Sequence, residues 1–289
     1  MKKLFYLSLL MFLALILAAC SSTTGGSELA TLEKAREEGK IVVGFAGEKP
    51  YAYKTADGEL TGEAVEVARA VFKELGIDEM EGVLTEFSSL IPGLKAERFD
   101  VITAGMYVTP DRCEKVAFGE PEYSIGEALA VQKGNPMDIH SYEDIAANPD
   151  VKIAVMEGAI ELQYLEAAGV PDSQIEIVSD IPSNVQALQS GRVDAITMTG
   201  PTLEAAMETA DIANIERVED FKQPTVDGES VRGYGAAAFR LGDEAFVKAY
   251  NEKLQEMKDS GKLLEIISQF GFSEADLPGD MTTAELCGQ

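Results

Sequence analysis

Two successive runs of alternating strands and helices constrain the fold of this chain most. In the first run, short apolar stretches bounded by Gly or polar residues predict buried strands, and amphipathic stretches between them predict helices. The predicted strands are 41–45, 83–87 and 100–104, and the predicted helices are 27–39, 62–75 and 89–96. This alternation is typical of an α/β layer with parallel strands.

A second run of the same kind follows. Its predicted strands are 152–156, 175–178 and 193–197, and its predicted helices are 161–168 and 183–190. A predicted strand at 235–240 and predicted helices at 244–260 and 263–270 follow. A chain of this length is large for one core and comfortable for two lobes. The predicted lobes are 28–121 with 236–289 and 127–230, joined by a hinge at 122–126 and 231–235.

The predicted cleft lies between these lobes, because open α/β sheets bind ligands outside the carboxyl ends of their strands. The loops that follow the predicted strands on both lobes therefore face one another. They come after Phe45, Phe87, Ala104, Met156 and Thr197.

The N-terminus has the layout of an export signal. Lys2 and Lys3 precede an apolar run of 16 residues at 4–19, which is shorter than the roughly 20 residues that a membrane span needs. We predict a signal peptide at 1–19. The run ends in Leu-Ala-Ala-Cys20, which resembles a bacterial lipoprotein box and implies that Cys20 carries lipid and that 20–27 is a flexible tether. The alternative is an ordinary secretory signal with a chance cysteine.

The formal charge of −26 excludes a nucleic-acid partner, which would require a basic footprint. Loss of Lys2 and Lys3 with the signal peptide takes this charge to −28, because two positive charges leave. So acidic a chain is repelled by anionic lipid, and the lipid anchor has to hold it at the membrane. Either a salty environment or simple solubility accounts for the charge.

Six segments together resemble the solute-binding proteins of polar amino-acid ABC importers. They are 41–44, 87–94, 99–102, 105–112, 191–196 and 234–237, and the resemblance runs from about 41 to 272. It implies the two-lobed periplasmic-binding-protein fold of type II with two crossing hinge strands. It also implies an exported monomer that needs no cofactor or metal and delivers a small zwitterionic ligand to a membrane permease.

In this family, the segment that matches 105–112 binds the carboxylate of the ligand. We assign that role to Arg112, because a guanidinium presents a planar fork of donors that fits a carboxylate. Backbone amides near Gly105 and Tyr107 are expected to contribute. The alternative is a surface arginine paired with Asp111 or Glu114.

Lobe two departs from the amino-acid-binding pattern at two loops. Thr199 stands where the family usually has an aspartate for the α-ammonium, and a neutral hydroxyl is a poor partner for a desolvated cation. Gly158, Ala159 and Ile160 replace the usual Gly-Thr-Thr, so that only backbone amides remain for the carboxylate.

Lobe one departs in the other direction. Glu48, Tyr51, Phe87 and Tyr107 are expected to place one carboxylate and three aromatic rings at the site, and ring faces attract a diffuse cation. For the aromatics, the alternative is ordinary core packing. The stretch 81–112 and the pair Cys113 and Cys287 resemble the ectoine- and hydroxyectoine-binding members of the family, which implies that ligand.

Several alternatives stay open. Cys113 and Cys287 are expected to form a disulfide or to remain two thiols.

The alternative to an ectoine as the ligand is a polar amino acid or a betaine. A periplasmic dehydratase-like enzyme of the same fold is the remaining rival, but Glu48 is the only acid or base that we place in the cleft, and His140 is the only histidine. We therefore expect a binding protein and not an enzyme.

Overall fold

A computed structural model describes residues 30–209, 213–226 and 229–288. The predicted signal peptide, Cys20 and the tether lie outside this part of the chain. Within it, no helix is long and apolar enough to cross a bilayer.

The strands and helices are numbered in chain order. The strands are β1 (Lys40–Phe45), β2 (Tyr53–Lys54), β3 (Leu60–Thr61), β4 (Glu79–Leu84), β5 (Val101–Ile102), β6 (Ala117–Phe118), β7 (Tyr123–Ile125), β8 (Glu127–Gln132), β9 (Ile153–Met156), β10 (Ile175–Val178), β11 (Ala195–Thr199), β12 (Ile215–Arg217), β13 (Thr225–Val226), β14 (Glu229–Ser230), β15 (Gly233–Gly235) and β16 (Ala238–Phe239). The α-helices are α1 (Ala30–Glu38), α2 (Glu63–Glu74), α3 (Leu90–Lys95), α4 (Pro110–Cys113), α5 (Tyr142–Ala147), α6 (Glu161–Ala167), α7 (Ile181–Gln189), α8 (Gly200–Thr209), α9 (Glu244–Ser260), α10 (Lys262–Ile267) and α11 (Thr283–Leu286). Short 3₁₀ turns lie at Phe87–Ser89, Asp172–Gln174, Ser268–Phe270 and Glu274–Asp276.

Two five-stranded sheets confirm the predicted two-lobed α/β fold. The first has the order β4-β1-β5-β16-β6 and the second the order β10-β9-β11-β8-β12. In each sheet the first three strands run parallel, as the alternation of strands and helices predicts. β16 then joins β5 in antiparallel fashion, so that the C-terminal part of the chain returns to the first sheet.

Helix α2 shows why the first sheet is covered. Val65, Ala68 and Val71 of this helix are fully buried. Phe72 from this helix meets Phe246 and Tyr250 of α9 at ring-centroid distances of 6.1 and 5.8 Å. Such ring contacts add to area burial and fix both helices on the sheet.

Two crossing strands connect the sheets. β7 and β15 pair in antiparallel register, with Tyr234 opposite Ser124 and Gly235 opposite Tyr123. Both lie within the ranges predicted for the hinge, 122–126 and 231–235. That the lobes turn about these strands stays a prediction.

Several element boundaries differ from those predicted. The predicted strand 83–87 is β4, which ends at Leu84, and Phe87 begins a 3₁₀ turn instead. β4 is an edge strand with alternating exposure, so that its apolar signal is weak. The predicted strand 193–197 lies two residues later as β11, which makes Thr199 the last residue of a strand and not part of a loop. The predicted strand 235–240 divides into β15 and β16, because the chain there passes from the crossing to the first sheet.

Gly235 on the crossing strand provides a test of this packing. A Cβ atom there would lie 2.1 Å from Cζ of Tyr123. We expect Gly235→Ala to destabilise the fold by about 1–3 kcal/mol, because neither the ring nor the strand has space to move. Urea unfolding measures the change. Gly200→Ala is the control, because its Cβ would meet no atom closer than 3.5 Å; an equal loss in both variants would contradict the argument.

Candidate functional site

The predicted site residues converge on a cleft between the two sheets. The cleft has a cavity volume of about 30 Å³ and is lined by Glu48, Tyr51, Phe87, Gly105, Tyr107, Arg112, Met156, Ala159, Ile160, Glu161, Ile181, Thr197, Met198 and Thr199. Nine of the ten predicted ligand-binding residues are in this lining. The tenth, Gly158, lies beside it and accepts a hydrogen bond from Arg112. Their contacts with a ligand stay a prediction.

Arg112 spans the cleft. It lies on α4, which begins at Pro110 after the N-cap Thr109. Its Nη1 donates to the carbonyl of Tyr107 at 2.8 Å, and its Nη2 donates across the cleft to the carbonyl of Gly158 at 2.9 Å. The guanidinium is buried and lies 5.6 Å from the ring centroid of Phe87. This placement differs from the alternative of an exposed arginine paired with Asp111 or Glu114.

The aromatic residues line the cleft and also pack in the core. Tyr51 and Tyr107 line the cleft, yet both are buried and lie against Tyr123 of the crossing strand, with ring centroids 5.4 and 6.5 Å away. The Tyr51 hydroxyl makes a 2.8 Å hydrogen bond with Oγ1 of Thr199 on the other lobe. The rings are therefore held in fixed positions by the core behind them.

Glu48 of lobe one is held by a hydrogen bond from Thr202 of lobe two. Oγ1 of Thr202 donates to Oε1 of Glu48 at 2.8 Å, and Oγ1 of Thr199 donates to Thr202 at 2.9 Å. Burial raises the pKa of Glu48 to about 7; the Thr202 hydrogen bond opposes this rise and the charge of Glu161 adds to it. The sequence did not indicate Thr202, which lies on the first turn of α8.

The expectation that Glu48 is the only acid in the cleft is wrong. Glu161, the first residue of α6, also lines it, and Glu127, the first residue of β8, is buried nearby. Burial raises the pKa of both carboxyls; the charge of Glu161 raises that of Glu127 further, and Arg112 lowers that of Glu161. Glu161 directly follows the loop 158–160, and this position was the signal that could have found it.

Backbone groups of the loop 158–160 are already partly engaged. The amide of Ala159 donates to the carbonyl of Met156 at 3.1 Å, and the carbonyl of Gly158 accepts from Arg112. That backbone amides of this loop bind the ligand carboxylate stays a prediction; the N–H of Ala159 closes the turn with Met156. Among the described residues, no group of three or more His, Cys, Asp or Glu side chains is arranged to hold a metal ion.

Cys113 and Cys287 form a disulfide, with Cα atoms 5.8 Å apart. The bond lies directly beside Arg112 in sequence and joins α4 to the end of the chain. This is the first of the two alternatives that the sequence left open.

The fold and the cleft define a class of protein. Residues 41–273 match the bacterial extracellular solute-binding proteins, family 3, and the chain belongs to this family. The resemblance predicted for residues 41 to 272 is thereby confirmed.

Individual relatives and structures agree with this assignment. The probable amino-acid ABC transporter periplasmic-binding protein y4tE of Sinorhizobium fredii is 38% identical over 262 residues, which cover 89% of this chain and 86% of the relative. The L-cystine-binding protein TcyJ of Escherichia coli strain K12 is 28% identical over 252 residues, 87% of this chain and 90% of the relative. The crystal structure of EhuB in complex with hydroxyectoine has a TM-score of 0.81 and 36% identity, and the match covers 90% of this chain and 98% of EhuB.

The raised pKa of Glu48 predicts a pH dependence of stability. Because its pKa rises from 4.5 unfolded to about 7 folded, the folded protein binds more protons between these values, and its contribution to stability is lost as the pH rises through that window. We expect the Glu48→Gln variant to lack about 2–3 kcal/mol of the wild-type decrease in unfolding free energy between pH 4.5 and 7.

Urea unfolding at several pH values measures this difference. Glu59→Gln, at an exposed position on the same lobe, is the matched control and should follow the wild type. Parallel curves for Glu48→Gln and wild type would contradict the assignment.

Proposed function

We propose that this chain is a lipid-anchored solute-binding protein of an ABC importer, which captures ectoine or hydroxyectoine by closure of its two lobes. One observation carries the proposal: a buried guanidinium, a buried carboxyl and aromatic rings line one small cleft between the lobes. Such a cleft suits a zwitterion with a carboxylate at one end and a delocalised cation at the other. The similarity to EhuB, solved with hydroxyectoine, supports the same ligand class.

Arg112 is the proposed partner of the ligand carboxylate. Its two hydrogen bonds to carbonyl oxygens fix its orientation and leave its other N–H groups for the ligand. Because the guanidinium is buried, its attraction for an anion is screened less than it would be at the surface.

The cationic end would lie among the rings and acids. An amidinium ring carries N–H donors and a spread charge, which suit the carboxyl of Glu48 and the faces of the aromatic side chains. Glu161 offers a second acceptor from lobe two. Thr199 has no role as a counter-ion, since its hydroxyl bonds to Tyr51 and Thr202.

Closure would work through three contacts between the lobes. Arg112 bonds to Gly158, Tyr51 bonds to Thr199, and Glu48 accepts from Thr202. In the proposed cycle, ligand first binds the lobe that carries Arg112 and Glu48. The lobes then turn about the hinge, water leaves the cleft, and the closed form docks on the permease.

A polar amino acid is the second candidate, and one observation favours it. Glu48 and Glu161 both line the cleft, so that an α-ammonium would find a carboxyl there even though Thr199 replaces the usual aspartate. A betaine is the third candidate, since rings attract a quaternary amine that has no N–H to donate.

Calorimetric titration with ectoine, hydroxyectoine, glycine betaine and glutamine separates these candidates. We expect the two ectoines to bind most tightly, because only they combine a carboxylate with an amidinium. Tight binding of glutamine without any response to ectoine would refute the ligand assignment.

Replacing Arg112 tests the carboxylate site. We expect Arg112→Ala to weaken binding at least ~100-fold and Arg112→Lys to fall between this variant and the wild type, because lysine keeps the charge but loses the planar fork. Titration measures both, with the exposed Arg98→Ala as control. Binding by Arg112→Ala as tight as that of wild type would exclude the role.

The lipid anchor is tested at Cys20. We expect Cys20→Ser to abolish incorporation of labelled fatty acid, because the thiol of Cys20 is the proposed acceptor of the lipid. Metabolic labelling of cells with palmitate, followed by capture of the protein, measures the change. Ser21→Ala is the control, and a Cys20→Ser protein that still carries the label would contradict the proposal.

A further inference from the structure

The last residues of the chain form a strap across the first lobe. We define the C-terminal strap as residues 272–287, nearly all of which lie beyond the family match at 41–273. Two capping boxes give it a regular shape: Ser273 with Asp276, and Thr282 with Glu285. A segment with such local order holds a defined path and is not a loose tail.

The strap begins beside two tyrosine rings at the cleft and the crossing strands. The Phe272 ring lies 5.1 Å from the ring centroid of Tyr123 and 6.0 Å from that of Tyr51. Tyr51 lines the cleft, and Tyr123 belongs to crossing strand β7. The first residue of the strap therefore supports a cleft residue and a hinge residue at once.

The strap next meets the hinge. Nη2 of Arg232, in the predicted hinge range 231–235, lies 3.6 Å from Oδ1 of Asp276 and donates to the carbonyl of Ala275 at 3.4 Å. Arg232 also donates to the side chain and backbone of Ser124 on β7. This arginine thus joins the strap to both crossing strands.

The strap ends on the segment that carries Arg112. The amide of Thr283 donates to Oε2 of Glu120 at 3.0 Å, and its hydroxyl donates to the carbonyl of Gly119. Leu286 and Cys287 pack against the apolar cluster that contains Val108 and Val116, on either side of α4. The disulfide from Cys287 then closes on Cys113, the residue after Arg112.

We propose that the C-terminal strap is a positioning element: through the Cys113–Cys287 disulfide it holds the four-residue helix α4, and so Arg112, at the geometry that ligand closure needs. A helix of one turn has little stability of its own. Its position therefore depends on what holds it, and the disulfide is a covalent hold. Reduction of this bond loosens Arg112 and weakens ligand binding. The inference rests on the proposed role of Arg112.

The test uses a Cys113→Ser/Cys287→Ser double variant and, in parallel, wild-type protein treated with a mild reductant. In the ligand-free state, hydrogen exchange of backbone amides at 109–116 should become at least ~10-fold faster, whereas amides of β9 and β11 in the other lobe should not change. Glu274→Gln, at an exposed position of the strap, is the control and should match wild type.

A double-mutant cycle separates positioning from general loosening. We expect loss of the disulfide to weaken ectoine binding about 10-fold in the wild type but less than about 3-fold in an Arg112→Lys background, because the planar fork that needs accurate placement is already gone. Equal losses in both backgrounds would overturn the proposal, as would unchanged exchange at 109–116. If wild type binds no ectoine, the proposed ligand fails; the exchange data still decide the strap, and the cycle is run with whichever panel ligand binds.

Discussion

A guanidinium removed from water between two lobes needs acceptors and compensating charge on every side, and this requirement organises the cleft. Arg112 takes a carbonyl from its own lobe and a carbonyl from the other, so that the closed arrangement satisfies a charge that an open one would leave to water. The ring of Phe87 covers its face. In the proposed function, the remaining N–H donors of Arg112 would bind the carboxylate of the ligand, and ligand capture would thereby be linked to closure.

The acids around this charge set the electrostatics. Glu48, Glu127 and Glu161 are all buried near one arginine, and burial raises the pKa of each. Burial and the charges of neighbouring carboxylates both favour the protonated form of these groups, which reduces the negative charge in the cleft. A neutral zwitterion enters such a site without adding net charge, whereas an anion would add to the repulsion.

The sequence predicted the fold better than the site. The α/β alternation and the buried face of α2 follow from local periodicity, which a single chain displays directly. Glu127 and Thr202 were missed because their approach to the cleft depends on how β8 and α8 are placed in space, which no local pattern reports. Glu161 could have been found from its position directly after the loop 158–160. Phe87 was predicted to line the cleft and does so, although from a 3₁₀ turn and not from a strand. Arg112 could be predicted to lie at the cleft, as it does, because a motif with fixed spacing surrounds it.

Gly233 and Gly235 lie directly beneath tyrosine rings, with a Cβ on Gly233 only 1.7 Å from Cε2 of Tyr107 and one on Gly235 only 2.1 Å from Cζ of Tyr123. A side chain at either glycine position would need the space that the tyrosine ring already fills. Substitutions within each glycine–tyrosine pair are therefore coupled, because a larger residue on the strand requires a smaller residue in place of the tyrosine. Tyr107 also lines the cleft. A different side chain at position 107, selected for another ligand, would therefore change which residues the crossing strand can carry at position 233.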